Sequence, residues 1–300
     1  MKIYLKETNL KFTWKSTSDD PDTLKKFLNA KGISHRMYKR IKTGGGSFKI
    51  NGVAASGSQL EPGDVVEVVL PDEVSDPNVA VSDQPIEVVY EDDNWLVVNK
   101  PAGLTVVPGP ANRDDTLVNR VKAHLVNAHA VNLVPHIITR LDRFTSGLVL
   151  VAKHGLANSL ANEMLAKKTL YKQYAAVVAG KGLAAHGVIN HPIAKDPNGY
   201  GQIISDAGKS ALTEYWVERQ FSDRTLVKVV LHTGRTHQIR VHFAAIGHPL
   251  LGDALYSGPM DLGIDRQALH ATNLEFVDPF SKKQLTFESQ LPEDVSRILD

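Results

Sequence analysis

Short blocks of apolar residues, bounded by glycine, proline and acidic residues, recur through the last two thirds of the chain. These blocks predict strands at 86–90, 95–99, 147–152, 174–178, 211–218 and 225–231. Helical spacing predicts helices at 155–167 and at about 236–246. Because several strands follow one another without an intervening helix, residues 86–300 predict an α+β domain with a mixed, largely antiparallel sheet.

The beginning of the chain shows shorter elements. Asp22 is the expected N-cap of a helix that ends at Gly32, and Ser34 is the expected cap of a second helix over 35–42. Strands are expected at 47–53 and 65–70. The sequence therefore predicts three parts. Residues 1–70 form a small α/β domain, residues 71–85 form a linker rich in proline, aspartate and serine, and residues 86–300 form a larger domain.

Composition excludes several classes of site. The 300 residues are 42% hydrophobic and 22% charged, as in globular proteins, and include no cysteine. Disulfides, thiolate nucleophiles and cysteine-ligated zinc are therefore excluded. The first ten residues lack the apolar core of a signal peptide, and no apolar run has the length of a membrane span. We expect a cytoplasmic protein without a membrane partner.

Charge is distributed unevenly, although the formal net charge is only +1. Residues 23–60 contain lysines and arginines but no acid, and residues 61–93 contain acids but no lysine or arginine. Two helices with basic residues on one side can bind the phosphate backbone of a nucleic acid. The alternative is a charged surface that contacts only solvent. The candidate RNA-binding residues are Lys25, Lys26, Arg36, Lys39, Arg40 and Lys42.

Residues 23–68 also resemble the small alpha-L RNA-binding domain of a small-subunit ribosomal protein and several RNA-modifying enzymes. The resemblance lies in the two helices around Gly32-Ile33-Ser34 and in the segments that follow them. Those segments are Ile50-Asn51-Gly52-Val53 and Pro62-Gly63-Asp64-Val65-Val66. It implies that the first domain binds RNA.

The run from Thr139 to Gly147 sets one acid, Asp142, between Arg140 and Arg143, on a polar turn before an apolar strand. A carboxylate among positive charges in a cleft stays ionised and can be aimed at a substrate. The alternative is a surface aspartate paired with its neighbours.

Further motifs accompany this run in a fixed order. They are Asn99-Lys100-Pro101-Ala102-Gly103-Leu104, Arg140-Leu141-Asp142, Thr145-Ser146-Gly147, Lys172-Gln173-Tyr174, Gly234-Arg235-Thr236-His237-Gln238-Ile239-Arg240, Gly247-His248-Pro249 with Gly252-Asp253, and Leu269-His270-Ala271. From residue 86 to about 280 the chain resembles the RluA-type family of rRNA and tRNA pseudouridine synthases.

The resemblance implies isomerisation of uridine within RNA. The bond between ribose and the base nitrogen breaks, the uracil turns, and a ring carbon bonds to the sugar. No redox step or external group is involved, so the resemblance implies neither cofactor nor metal. The expected partner is RNA, with large-subunit rRNA favoured and tRNA possible, and the protein is expected to be a monomer.

The resemblance also assigns roles to single residues. Asp142 corresponds to the essential acid, as nucleophile or as base, Arg240 to its partner, and Tyr174 to the active-site tyrosine. Arg140 and Leu269 correspond to positions near the flipped nucleotide. Structural ion pairs for the two arginines, and ordinary core packing for Tyr174 and Leu269, are the alternatives.

Two residues depart from the family pattern, and one histidine-rich run needs a separate explanation. Thr139 and Val107 stand where family members often have histidine. His232, His237 and His242 are spaced five residues apart and would not share a helix face, so a zinc site is not expected.

Two rival functions use the same residues differently. One is a non-catalytic RNA-binding ribosome-assembly factor, which would not need the Asp142, Tyr174 and Arg240 combination. The other is a glycoside hydrolase with paired carboxylates. Its second acid would be Asp253, but the Gly252-Asp253 context indicates a turn.

Overall fold

The computed structural model of the chain describes residues 10–55, 57–110 and 112–300. Its N-terminal part is an antiparallel sheet of four strands, in the order β1-β4-β2-β3, with two helices packed on it. The elements are β1 (Lys11–Lys15), α1 (Leu24–Ala30), α2 (His35–Thr43), β2 (Ser47–Ile50), β3 (Val53–Ala54) and β4 (Val65–Val69).

The caps of the two helices differ in how well the sequence predicts them. Ser34 caps α2 as predicted, because its hydroxyl accepts a hydrogen bond from the Met37 backbone N–H. The prediction for α1 is wrong by one residue, since Thr23 and not Asp22 is the N-cap. Thr23 bridges Gln59 in an extended conformation, and this bridge delays the helix start.

A larger sheet of ten strands is the centre of the remaining described chain. The main strand order is β10-β13-β14-β9-β15-β8-β6-β5, with β16 added on β15 and β7 on β8. All pairs are antiparallel except β8 with β15, so the expected mixed, largely antiparallel α+β fold is confirmed. The strands are β5 (Glu87–Glu91), β6 (Trp95–Lys100), β7 (His136–Ile137), β8 (Ser146–Ala152), β9 (Tyr171–Ala179), β10 (His186–Asn190), β13 (Leu212–Gln220), β14 (Arg224–Leu231), β15 (Leu269–Val277) and β16 (Gln284–Glu288).

Helices cover both faces of the central strand β8. Leu148 and Leu150 point to one face, towards the helix Gly155–Lys167 (α4), whereas Val149 and Val151 point to the other, towards the helix Leu117–Asn127 (α3). A separate hairpin lies beyond the sheet. The remaining elements are α3 (Leu117–Asn127), α4 (Gly155–Lys167), α5 (Gln238–Ala245), α6 (Glu293–Arg297), a one-turn 3-10 helix (Ala254–Tyr256), and the hairpin strands β11 (Ile193–Lys195) and β12 (Gln202–Ile204).

The parallel junction of β8 and β15 depends on Gly147. Its φ is +113°, and a Cβ atom there would lie 2.3 Å from the Ala271 carbonyl oxygen. Only glycine lets the two backbones approach this closely. The junction fixes the start of β8, and with it the turn that carries Asp142.

Residues 71–85 contain no helix or strand, but they are tied to the larger domain as a strap. The Asn119 amide donates to the Ala80 carbonyl, and Lys122 donates to the Val79 carbonyl. Glu73 of the strap is buried between Arg40 and His136. The strap therefore joins the two parts of the chain by polar contacts.

Apolar contacts also join the two parts. Leu156, in the first turn of α4, is completely buried in the core of the N-terminal sheet and its helices. Gly32 approaches the Leu160 side chain so closely that a Cβ atom would clash with it. No helix in the described ranges is long and apolar enough to cross a membrane.

Candidate active site

The Asp142 turn opens into a cleft with a volume of about 840 Å³. Its walls come from the end of α4, the beginning of β9, the end of β14 and the loop 233–236. The cleft therefore lies where strands at the centre of the large sheet end.

The Asp142 side chain is 24% exposed and reaches both this cleft and a smaller cavity beside it. Its Oδ2 atom accepts a hydrogen bond of 3.2 Å from Nη1 of Arg240. The buried Lys100 ammonium holds the same turn, because it donates to the carbonyls of Arg143, Pro101 and Leu104. Burial lowers the pKa of Lys100 to about 7. Asp142 is thus a partly exposed carboxylate on a tightly held turn.

Arg240 is held from behind by Asp253. The Asp253 carboxylate accepts from Nε at 2.7 Å and from Nη2 at 2.8 Å, which is the bidentate geometry that orients a guanidinium strongly. Burial would lower the pKa of Arg240, but the hydrogen bonds and charge of Asp253, and then Asp142, raise it. Arg240 therefore stays charged and presents its remaining nitrogen to Asp142.

The sequence predicted only a turn at Gly252-Asp253 and did not predict the contact between Asp253 and Arg240. The turn is present, because the Asp253 carbonyl accepts from Tyr256 and Gly258. Its side chain is nonetheless buried. The preceding Gly252 has a φ of +71°, and a Cβ atom there would clash with the Arg266 carbonyl oxygen at 2.1 Å, so this backbone requires glycine. The pair Gly252-Asp253 is the signal, since a glycine-dependent backbone turns the acid inward.

Tyr174 and Leu269 lie in one apolar cluster with Leu141. Tyr174 lines the cleft on strand β9 and is 6% exposed, so its ring forms an apolar wall near Asp142. Burial, and then the charge of Asp142, raises the pKa of the Tyr174 hydroxyl, which stays neutral. Leu269 is 4% exposed and packs in the core behind the cleft. Its contact with a substrate stays a prediction.

Basic side chains surround the cleft. Among the described residues that line the cleft, Asp142 is the one carboxylate, whereas five residues are lysines or arginines. Burial lowers the pKa of one of them, Lys172, which lies two residues from Tyr174 on β9. A cleft with this balance of charge favours a polyanion. The five cations are Arg140, Arg143, Lys168, Lys172 and Arg235.

The candidate cations of the N-terminal part are all exposed. One of them, Arg40, is half-exposed and donates to Glu73 of the strap at 2.6 Å. Arg36 and Lys39 lie on the outer surface of the same helix, α2. The structure therefore ties Arg40 to the domain junction and leaves Arg36 and Lys39 exposed to solvent.

The three evenly spaced histidines point to different partners. His232 pairs with Glu214, and His242 bonds to Thr213 and to the His191 carbonyl. His237 lies 3.9 Å from Asp142. Across the described ranges, no three histidine, aspartate or glutamate side chains form a group suited to a metal ion.

The two departures from the family pattern have identifiable places. The Thr139 hydroxyl accepts a hydrogen bond from the Leu150 backbone N–H, so it anchors the segment before Asp142 to β8. Val107 lines the cleft and is 47% exposed. Neither residue occupies the position of the carboxylate or of its arginine.

Comparisons with known proteins identify chains that are similar to this one. The family model described as RNA pseudouridylate synthase matches residues 94–245. The uncharacterized RNA pseudouridine synthase YjbO of Bacillus subtilis is 36% identical over 92% of this chain and 98% of its own length. Ribosomal large subunit pseudouridine synthase D of Xylella fastidiosa is 37% identical over 88% of this chain and 83% of its own length.

A solved structure supports the fold. Human RNA Pseudouridylate Synthase Domain Containing 4 superposes with a TM-score of 0.60, at 22% identity, over 71% of this chain and 91% of that chain. The match of the family model and the long relatives identify this chain as an enzyme, an isomerase, and not only as an RNA-binding factor. The chain belongs to the RluA-type family of RNA pseudouridine synthases.

Proposed function

We propose that Asp142 is the essential acid with which this enzyme isomerises uridine to pseudouridine in structured RNA, most favourably large-subunit rRNA. The observation that carries the proposal is the Asp142 carboxylate, set at the junction of two cavities and hydrogen-bonded to an arginine that a second acid holds in place. A carboxylate that served only as a structural counterion would not need this access to a cleft.

The reaction requires the uridine to leave its stack, which costs a few kcal/mol. Tyr174 and the apolar residues behind it supply a surface that offsets this cost, because stacking on an aromatic ring stabilises a base by roughly 1–3 kcal/mol. Asp142 then acts on the ribose while the bond from C1′ to N1 breaks. The uracil turns, C5 bonds to C1′, the C5 proton is lost to solvent, and N1 takes up a proton, so the product is an isomer of the substrate.

The charges of the cleft support a phosphate-rich substrate. Arg140, Arg143 and Arg235 line the cleft without a carboxylate partner among the described residues. We propose that these three arginines contact the RNA backbone around the flipped nucleotide. We also propose that Arg140 and Leu269 lie closest to the flipped nucleotide itself. A relative named for the ribosomal large subunit favours rRNA over tRNA. We further propose a cytoplasmic monomer whose N-terminal domain binds the same RNA through Lys25, Lys26, Arg36, Lys39, Arg40 and Lys42.

The test uses purified protein and transcripts of large-subunit rRNA and of tRNA, without added metal. Carbodiimide labelling followed by primer extension maps pseudouridine at single positions. Wild type is expected to modify rRNA, and Asp142→Asn is expected to leave it unmodified. Asp206→Asn, which alters an exposed aspartate on the surface, is the matched control and should retain activity.

Each alternative result has a defined meaning. Modification of tRNA alone would overturn the rRNA proposal but not the role of Asp142. Equal modification by wild type and Asp142→Asn would overturn the assignment of the essential acid.

A further inference from the structure

His237 holds an unusual backbone conformation immediately before helix α5. Its φ of +54° and ψ of +20° fall in the left-handed region, which only a few per cent of non-glycine residues adopt, asparagine, aspartate and histidine more often than the others. The neighbouring Gln238 fixes this conformation, because its amide donates to the Leu212 carbonyl and to the Thr213 hydroxyl and accepts from Arg235 N–H. Conformations of this kind persist where the surroundings enforce them, and they concentrate at functional sites.

A chain of hydrogen bonds runs through His237. The Gln202 backbone N–H lies 2.8 Å from the Tyr256 hydroxyl oxygen, which lies 2.9 Å from Nδ1 of His237. Nε2 of the same ring lies 3.9 Å from Oδ2 of Asp142. The chain therefore extends from hairpin strand β12 to the Asp142 carboxylate.

The direction of these hydrogen bonds follows from the first donor. A backbone N–H can only donate, so the Tyr256 oxygen accepts from Gln202 and its single proton is free for Nδ1 of His237. When the hydroxyl donates that proton to Nδ1, Nδ1 is the acceptor, and a neutral imidazole carries its own proton on Nε2. That proton points at Asp142.

The surroundings keep the ring neutral near pH 7. Burial lowers the pKa of His237; Asp142 and Asp253 oppose this effect, and Arg240 adds to it. Tyr256 faces the ring as well, with a pKa that burial raises. Because the ring is neutral, the position of its one proton decides whether Nε2 donates to Asp142.

We propose that His237 is a positioning residue that donates its Nε2 proton to the Asp142 carboxylate, with the tautomer set by Tyr256. The proposal rests on the proposed role of Asp142. The distance of 3.9 Å is about 1 Å longer than a usual hydrogen bond, so the proposal requires the carboxylate to move by about that much when RNA is bound, as catalytic hydrogen bonds often tighten with substrate. The Arg240 guanidinium also lies over the Tyr256 ring, 5.0 Å from its centre. The Tyr256 side chain therefore orients both His237 and Arg240, the two groups that face Asp142.

Two substitutions of His237 separate this role from a purely structural one. In His237→Gln the side-chain amide can place an N–H where Nε2 lies, whereas in His237→Asn it reaches only the position of Nδ1. Asparagine, however, tolerates the left-handed backbone better than glutamine. The proposal expects the single-turnover rate on saturating RNA to be higher for His237→Gln than for His237→Asn, by about tenfold. A backbone role alone would give the reverse order.

Tyr256→Phe tests the source of the tautomer. It keeps the ring beneath Arg240 and removes only the hydroxyl, so the rate on saturating RNA is expected to fall about tenfold with little change in RNA affinity. Tyr90→Phe, which removes a hydroxyl bonded to Asp92 elsewhere, is the matched control and should behave as wild type.

Nitrogen-15 spectra of the histidine side chains report the tautomer without any activity assay. Wild type is expected to show His237 protonated on Nε2, and Tyr256→Phe is expected to show a mixture. A proton on Nδ1 in wild type, or a His237→Asn variant as fast as His237→Gln, would overturn the proposal. Asp142→Asn keeps the two proposals distinguishable, because activity in that variant would contradict the role of Asp142 itself.

Discussion

The buried Glu73 should stabilise the junction between the two parts of the chain strongly at neutral pH. Its carboxylate accepts from Arg40 at 2.6 Å and from His136 at 2.8 Å, and its side chain is 5% exposed. Burial alone would raise the pKa of Glu73, but the hydrogen bonds and charges of His136 and Arg40 lower it from 4.5 to about 2. The substitution Glu73→Gln keeps the shape and removes the charge.

The size of the effect follows from this displacement of the pKa. At about 1.4 kcal/mol for each pH unit, the ionised carboxylate contributes about 3 kcal/mol to the free energy of unfolding. Arg40 is half-exposed, so solvent weakens its share, and we expect a loss of about 2–3 kcal/mol in Glu73→Gln at pH 7. Because the folded pKa is depressed, this contribution is complete above pH 4.5 and is lost as the pH falls towards 2.

Urea unfolding of wild type and Glu73→Gln at pH 7, 4 and 3 measures this contribution. The difference between the two proteins should be largest at pH 7 and smallest at pH 3. Glu163→Gln, which breaks an exposed pair with Lys167, is the control and should change stability by less than about 0.5 kcal/mol. A difference for Glu73→Gln below about 1 kcal/mol at pH 7, or one that does not change with pH, would refute the reasoning.

Three further predictions concern the site and the RNA surface. Asp253→Asn leaves the buried Arg240 without its bidentate carboxylate, so urea unfolding should show a loss of about 3–5 kcal/mol; a loss below 1 would contradict the role described for Asp253. The double variant Arg36→Ala and Lys39→Ala should weaken RNA binding and reduce its salt dependence without changing the rate on saturating RNA, and unchanged affinity would make this helix face a solvated surface. Lys172→Met keeps the length of the side chain and removes its charge, so filter binding should show weaker affinity and a shallower salt dependence; an unchanged salt dependence would exclude a phosphate contact.

Elements with strong local patterns were predictable from the sequence. The predicted helix 155–167 has the observed bounds, and the predicted central strand 147–152 differs from the observed one by a single residue. Strand β15 was missed because Thr272 and Asn273 interrupt its apolar residues, where the structure has a register shift against β9. Helix α3 was missed although Thr116 and Asn119 form a capping box at its start.

The candidate site was predictable in part. Asp142 and Arg240 are separated by 98 positions in the sequence, and the motif resemblance alone indicated that they meet; their hydrogen bond confirms that contact. Asp253 and His237 both lie in the quoted motifs, but the sequence did not predict their contacts. Their contributions depend on burial behind Arg240 and on a bond to Tyr256, which only the assembled fold brings about.

The central claim is that the Asp142 carboxylate acts on the ribose of a uridine in RNA. Release of tritium from RNA that contains [5-³H]uridine measures it most directly, because the C5 hydrogen leaves only when C5 bonds to the sugar. Wild type should release tritium into water, and Asp142→Asn, with its fold confirmed by circular dichroism, should release none above background. Release by Asp142→Asn at the wild-type rate would contradict the account.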